Sequence, residues 1–281
     1  MKRWDRVAIV GVGLIGGSLG LDLLRRNLAR EVIGIGRRPE PLRLALERRL
    51  ITHAADTIAE GVAEADLVVV CTPVDRIAAC VLEAAAACPA QCLLTDAGST
   101  KGALVGQLDE QLPPAARFVG SHPLAGSHRS GPQAAVPDLF VGRTVVVTPT
   151  ARTLPADEAA ICQLWQSLDA RVVRLSPDDH DRLVAYSSHL PHLAASALAA
   201  VTPKEARPLV AGGWLDTTRI AAADAELWTQ IFLANRGHAL TALAGYEKLL
   251  RSLRRALERG DAAKIEQILT KARRTRDAVG S

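Results

Sequence analysis

Two hydrophobic periods divide the chain. Up to about residue 175, short, nearly continuous apolar runs alternate with stretches whose apolar residues recur every three to four positions. The runs at 7–10, 31–35, 66–73, 92–96, 117–120, 144–149 and 172–175 read as strands. Between them, 14–24, 40–49, 75–87, 100–112 and 155–169 read as helices. Strands that are apolar throughout, rather than alternating, are buried on both faces, which predicts a doubly wound parallel sheet. From Pro177 the strand signal vanishes. Helical patterns follow at 178–201, 204–215 and 227–248, and then a charged amphipathic run to 277. The reading is an α/β part over residues 1–175 and an all-helical part over 176–281, with no internal repeat between them.

The first strand breaks into Gly11-Val-Gly13-Leu14-Ile15-Gly16 and continues as a helix. This is the G-x-G-x-x-G spacing in its required strand–turn–helix setting. Gly11 serves the tight turn, Gly13 close approach to a pyrophosphate, and Gly16 helix–strand packing. The helix N-terminus adds free N–H groups and a positive dipole end. Residues 1–175 are therefore expected to be a Rossmann-type dinucleotide-binding domain. Ligands of such sheets lie beyond the carboxyl ends of the strands, so the turns at 11–17, 71–74, 97–101 and 121–131 should converge. After the second strand, where an NAD site carries an acid for the ribose hydroxyls, this chain has Gly36-Arg37-Arg38. A guanidinium there suits a 2′-phosphate, so NADP is the expected cofactor, with NAD the other possibility.

Composition narrows the class. The net charge is +4, with arginines scattered through helical patterns rather than gathered in a track. That fits anionic small molecules better than nucleic acid. No signal-like segment opens the chain and no apolar run reaches membrane-spanning length, so a cytoplasmic protein is expected. The five cysteines (71, 80, 88, 92 and 162) lack disulfide-framework spacing, and no His or Cys near Cys88 and Cys92 completes a metal set. They read as reduced, packed thiols. The Ala- and Leu-rich helical part predicts a homodimer interface.

Four polar clusters carry candidate chemistry. His122 lies in Gly120-Ser-His-Pro-Leu-Ala-Gly-Ser127, held by a proline and glycines, and titrates near neutrality. Ser99 lies in a small-residue turn at a strand end. Ser188-His-Leu-Pro-His192 interrupts a helical stretch, where Pro191 should break or kink the helix. There His192 is assigned to the site, and His189 suits the core. Arg219 follows Asp216-Thr-Thr, with Trp228 nine residues on.

Taken together, Cys71-Thr72-Pro73, Thr95-Asp-Ala-Gly-Ser-Thr-Lys101, the His122 cluster, Ser188-His-Leu-Pro-His192 and Asp216-Thr-Thr-Arg-Ile-Ala resemble the prephenate and arogenate dehydrogenases of tyrosine biosynthesis. The resemblance implies oxidative decarboxylation of a cyclohexadienol, prephenate or arogenate. In this reading His122 takes the hydroxyl proton and Ser99 orients that hydroxyl and the nicotinamide. Arg219 binds a carboxylate, and Ser188, His192, Ser127 and Trp228 complete the pocket. The glycine turn (Gly11, Gly13, Leu14, Ile15, Gly16), Arg37, Arg38 and the 71–73 turn hold the cofactor.

Two places depart from the family pattern. His128 and Arg129 stand where many relatives have an acid, and Ala225 where relatives tend to have proline. Two other classes fit these residues less well. A β-hydroxyacid dehydrogenase would use a lysine on the first long helix of the helical part, but no Lys lies between Lys101 and Lys204. A nucleotide sensor without turnover would need no His122, Ser99 and Arg219 together.

Overall fold

The computed structural model describes residues 3–126 and 130–280. Eight strands form one sheet: β1 (Trp4–Val10), β2 (Ala29–Ile35), β3 (His53–Ala55), β4 (Leu67–Val70), β5 (Leu93–Asp96), β6 (Arg117–Pro123), β7 (Thr144–Thr148) and β8 (Arg171–Arg174). Their order is β3-β2-β1-β4-β5-β6-β7-β8. Helices α1 (Leu14–Arg25), α2 (Pro39–Glu47), α3 (Ile58–Val62), α4 (Val74–Ala87), α5 (Gly102–Gln111) and α6 (Pro155–Gln166) connect them. The apolar runs of β1 and β4 follow from burial on both faces. Val7, Ile9 and Val69 point into one core layer with Leu19, Leu23 and Trp165. Ala8, Val10, Val68 and Val70 point into the other with Ile77, Val81 and Leu104. Successive side chains alternate faces, so both sets must be apolar.

The sheet departs from the expected pattern at one end. β1 to β6 are parallel, but β7 pairs antiparallel with β6, and β8 runs parallel to β7. Parallel pairing requires a crossover element. The described residues of the β6–β7 connection contain only a 3₁₀ turn, Pro132–Ala134, which packs on α1 and α2. The chain therefore returns antiparallel. β6 also runs three residues further than expected, so His122 lies inside a paired strand opposite Val146. β3, absent from the sequence reading, has only three residues.

The helical part comprises α7 (Pro177–Val184), α8 (Leu190–Val201), α9 (Gly212–Thr218), α10 (Ala225–Ala234), α11 (Arg236–Glu258) and α12 (Ala262–Val279). Pro191 does not break the helix. A π-helical turn, Ala185–His189, joins α7 to α8 and places the proline in the first turn of α8, where a missing N–H costs least. The helix expected over 204–215 is instead a 3₁₀ turn, Lys204–Leu209, containing Pro208, followed by α9. Among the described residues no helix is long and apolar enough to cross a membrane.

Candidate active site

The register places four strand ends side by side. Val10 pairs with Val70, Val70 with Asp96, and the Ser121 N–H donates to Asp96 Oδ1 at 3.1 Å. The turns after β1, β4 and β5 and the end of β6 therefore share one edge of the sheet. β1 has β2 on one side and β4 on the other, so this edge includes the point where strand order reverses.

The three glycines of the first turn have different reasons to be glycine. Gly11 has φ +96°, and a Cβ there would sit 2.9 Å from the Cys71 carbonyl oxygen. A Cβ on Gly16 would meet the Gly11 oxygen at 2.2 Å. These two are required by the protein's own backbone. Gly13 is not: a Cβ there would meet nothing within 4 Å. It borders open space at the N-terminus of α1, which has no side-chain cap and no acid in its first turn. The amides of Leu14 and Ile15 thus begin an uncapped helix beside a cleft, a setting that fits a pyrophosphate. Cys71, Thr72 and Pro73 stand beside it and lead into α4, with Pro73 at the N-cap. Burial pushes the Cys71 thiol up, and Asp96 adds to the rise, so it packs as an apolar group. Arg37 and Arg38 are exposed at the end of β2. Burial raises the Cys80 thiol on α4, while Thr72 and, more weakly, Arg76 and Arg37 pull it back.

Asp96 organises the next turn. Its Oδ2 accepts the Gly98 N–H at 2.8 Å and the Lys101 ammonium at 2.5 Å, and neither side chain of the ion pair is exposed. The Ser121 hydroxyl donates to the Asp96 carbonyl at 2.5 Å. One buried residue thus holds the half-buried Ser99 turn to the strand that carries His122.

His122 is 8% exposed. Its Nδ1 lies 2.8 Å from Nε2 of His180 on α7, and His180 Nδ1 lies 2.8 Å from Asp181 Oδ1. Asp181 in turn accepts the N–H groups of Lys101 and Gly102, each at 2.8 Å, at the start of α5. Burial, followed by His180, Lys101 and His189, holds the His122 pKa well below the usual 6.5. Burial alone would raise the Asp181 carboxyl. Hydrogen bonds from His180 and the two amides outweigh it and bring the carboxyl below its ordinary value.

The helical part adds an aromatic cluster. His192, 5% exposed, lies under Trp228 with ring centroids 3.7 Å apart, and Phe232 meets both rings. Burial lowers the His192 pKa. Its Nδ1 pairs with the Ser196 hydroxyl at 3.3 Å, whereas its buried Nε2 has no partner among the described residues. His189 is buried, accepts from Asn235 at 3.2 Å, and is lowered to about 4, chiefly by burial. Ser188 is half-buried in the π turn. Arg219 is exposed at the start of a 3₁₀ turn that packs on α8, and has no ion pair among the described residues. Ser127, with His128 and Arg129, lies outside the described residues. His180, Asp181, Asp96 and Arg76 were not picked out from the sequence. Pro177-Asp-Asp-His-Asp181 reads simply as acids dressing a helix N-terminus. Nothing local shows that two of them meet β6 and α5.

Comparison with known proteins is consistent across the whole chain. Residues 19–174 match the family described as prephenate dehydrogenase, nucleotide-binding domain, and residues 176–271 match prephenate dehydrogenase, dimerization domain. The prephenate dehydrogenase of Bacillus subtilis is 34% identical over 98% of this chain and 76% of its own length. The Aquifex aeolicus prephenate dehydrogenase, solved with hydroxyphenyl propionate and NAD+, superposes with a TM-score of 0.90 at 30% identity, covering 98% of both chains. A Synechocystis arogenate dehydrogenase structure gives 0.84 at 29% identity, covering 98% of this chain and 99% of its own. Two consecutive family matches, joined to a nucleotide-ready turn and a buried histidine at the same sheet edge, make this chain a member of the prephenate dehydrogenase family.

Proposed function

We propose that this chain oxidatively decarboxylates prephenate or arogenate, that His122 is its base, that NADP is its preferred nicotinamide cofactor, and that it works as a homodimer through its helical part. The observation carrying the reading is His122 itself. It is a buried histidine on a rigid strand, held neutral by its surroundings and tied through Asp96 to the Ser99 turn. When bound, the nicotinamide ring supplies the acceptor for the hydride that leaves the hydroxyl-bearing ring carbon. The open face at Gly13, the uncapped start of α1 and the 71–73 turn would hold the dinucleotide, with Arg37, Arg38 and Arg76 near a 2′-phosphate.

The residues then divide the remaining work. Neutral His122 takes the hydroxyl proton as that carbon is oxidised. Ser99 orients the hydroxyl. The unpaired guanidinium of Arg219 grips a carboxylate, and the free Nε2 of buried His192 offers a further polar contact, with Ser188, Trp228 and Ser127 completing the wall. When the ring loses carbon dioxide and becomes aromatic, His122 returns the proton to the phenolic oxygen. The reaction therefore consumes and releases no net proton at this site. The two-part composition, with apolar residues left exposed on the helical side, supports assembly through that side.

The test is a four-way assay of prephenate or arogenate with NAD or NADP, following reduced nicotinamide. Activity with either substrate and faster turnover with NADP are expected; silence in all four combinations overturns the reading. In the active combination, His122→Asn should lower turnover roughly 100-fold or more while sparing cofactor binding. Unchanged turnover would remove His122 from the chemistry.

A further inference from the structure

The surroundings of His122 oppose its task. An imidazolium there would be buried and would face His180, His189 and the Lys101 ammonium. The countercharge of Lys101, Asp96, is already engaged, and the β7 neighbour across the strand is uncharged Val146. Proton uptake at such a position is efficient only if the gained charge can be placed elsewhere. The hydrogen-bonded path from His122 through His180 to Asp181 offers that place.

Counting donors fixes where the protons sit. Asp181, accepting two backbone N–H groups and His180 Nδ1, is ionised, and an ionised carboxylate only accepts. His180 therefore carries its proton on Nδ1 and, when neutral, can only accept at Nε2. The proton between the rings then belongs to His122 Nδ1. This leaves the lone pair of His122 on Nε2, at the opposite edge of the ring.

We propose that His180 and Asp181 are positioning residues of a relay that sets the tautomer of His122 and receives the positive charge when His122 takes the substrate proton. The inference rests on His122 being the base. In the forward step the substrate O–H bond breaks and a bond from Nε2 of His122 to that proton forms. The Nδ1 proton of His122 moves to His180 Nε2. The charge then lies on His180, against the Asp181 carboxylate, and no group in the relay is oxidised or reduced. Both transfers reverse when the aromatic product regains its hydroxyl proton. The logic is that of a buried acid holding a histidine in its working tautomer, with a second imidazole interposed.

The deciding experiment is a ¹⁵N-histidine NMR spectrum of the full-length wild-type enzyme, with the His122 signals identified by their loss in His122→Asn. The Nδ1–H tautomer is expected for His122; an Nε2–H tautomer overturns the relay. In kinetics, Asp181→Asn should lower kcat/KM about 100-fold. It should also move the acid limb of the pH profile to lower pH, because the anion supporting the imidazolium is gone. An unchanged rate, or a lower rate with the limb unmoved, assigns Asp181 a merely structural role and overturns the proposal. If that variant does not fold, the wild-type spectrum still decides. An active His122→Asn enzyme would remove the base and the relay together. An inactive one combined with the wrong wild-type tautomer would remove the relay alone.

Discussion

The sheet part and the helical part treat apolar residues in opposite ways. Leu67, Val68, Val69 and Val70 of β4 are wholly buried, sealed by helices on both faces of the sheet. In α12 no residue is buried, and α11 buries only three alanines along 23 residues. Large apolar side chains of the helical part face outward instead: Leu209 after α8 is 85% exposed, Val201 at the end of α8 75% and Leu257 on α11 67%. A part with its own two-layer core can be stable alone. A part whose leucines point outward is completed by another surface, and exposed apolar patches of this kind mark association sites. The contrast fits a nucleotide platform joined to a wall that, on the proposed reading, a second copy covers. It also explains why Arg219 and Trp228 lie on the less enclosed side.

Four variants or measurements break or sharpen this contrast. The largest effect is expected inside the sheet part. Lys101→Met leaves the buried Asp96 carboxylate without its cation and should cost about 3–5 kcal/mol. Chemical denaturation should show the same loss at low and high protein concentration. On the helical side, Leu250→Asp combined with Leu257→Asp places two charges seven residues apart on one face of α11. At about 2 kcal/mol each, they should weaken dimerisation on the order of 1,000-fold, read by light scattering across a dilution series. A species whose mass is unchanged on dilution would place the interface elsewhere.

The cofactor end gives a smaller, selective effect. Arg37→Ser should raise the KM for NADP roughly tenfold or more and leave that for NAD unchanged, since only the former carries a 2′-phosphate to lose a charged contact. Equal changes for both would make Arg37 a surface charge. The smallest effect is a flat pH profile. The base must be neutral to act, and burial, with His180, the Lys101 ammonium and His189 nearby, holds His122 well below 6.5. Activity should be full above that lower value and lost as pH falls through it. Between pH 6.5 and 8, kcat/KM should therefore change by no more than about twofold. A steep fall just below pH 7 would indicate a histidine of ordinary affinity.

Much of this architecture can be read from residue order, for physical reasons that also set the limit. β4 and the 7–10 run of β1 are doubly buried, so they are apolar without interruption, and Gly11 and Gly16 must be glycine because a Cβ would overlap backbone atoms. Strand direction leaves no such mark. β7 has the same valine-rich pattern whichever way it runs, and only the missing crossover helix distinguishes the cases. The π turn resembles a helix broken at Pro191, since a widened turn and a broken one begin with the same residues. His122, Ser99 and His192 sit in compact motifs and stand out. His180 and Asp181 do not, because their partners are 58 and about 80 positions away in the chain.

Asp181 also has a mechanical consequence. Its two oxygens grip consecutive amides at the start of α5, while its neighbour His180 reaches β6. Swinging α7 away from the sheet would strand these buried donors together, at about 1–3 kcal/mol for each left unsatisfied. The wall and the platform are therefore latched where they meet, and separating them there carries an energetic cost. With that contact intact, the substrate and the smaller, flatter product would pass by local motion at the rim rather than by the opening of a hinge.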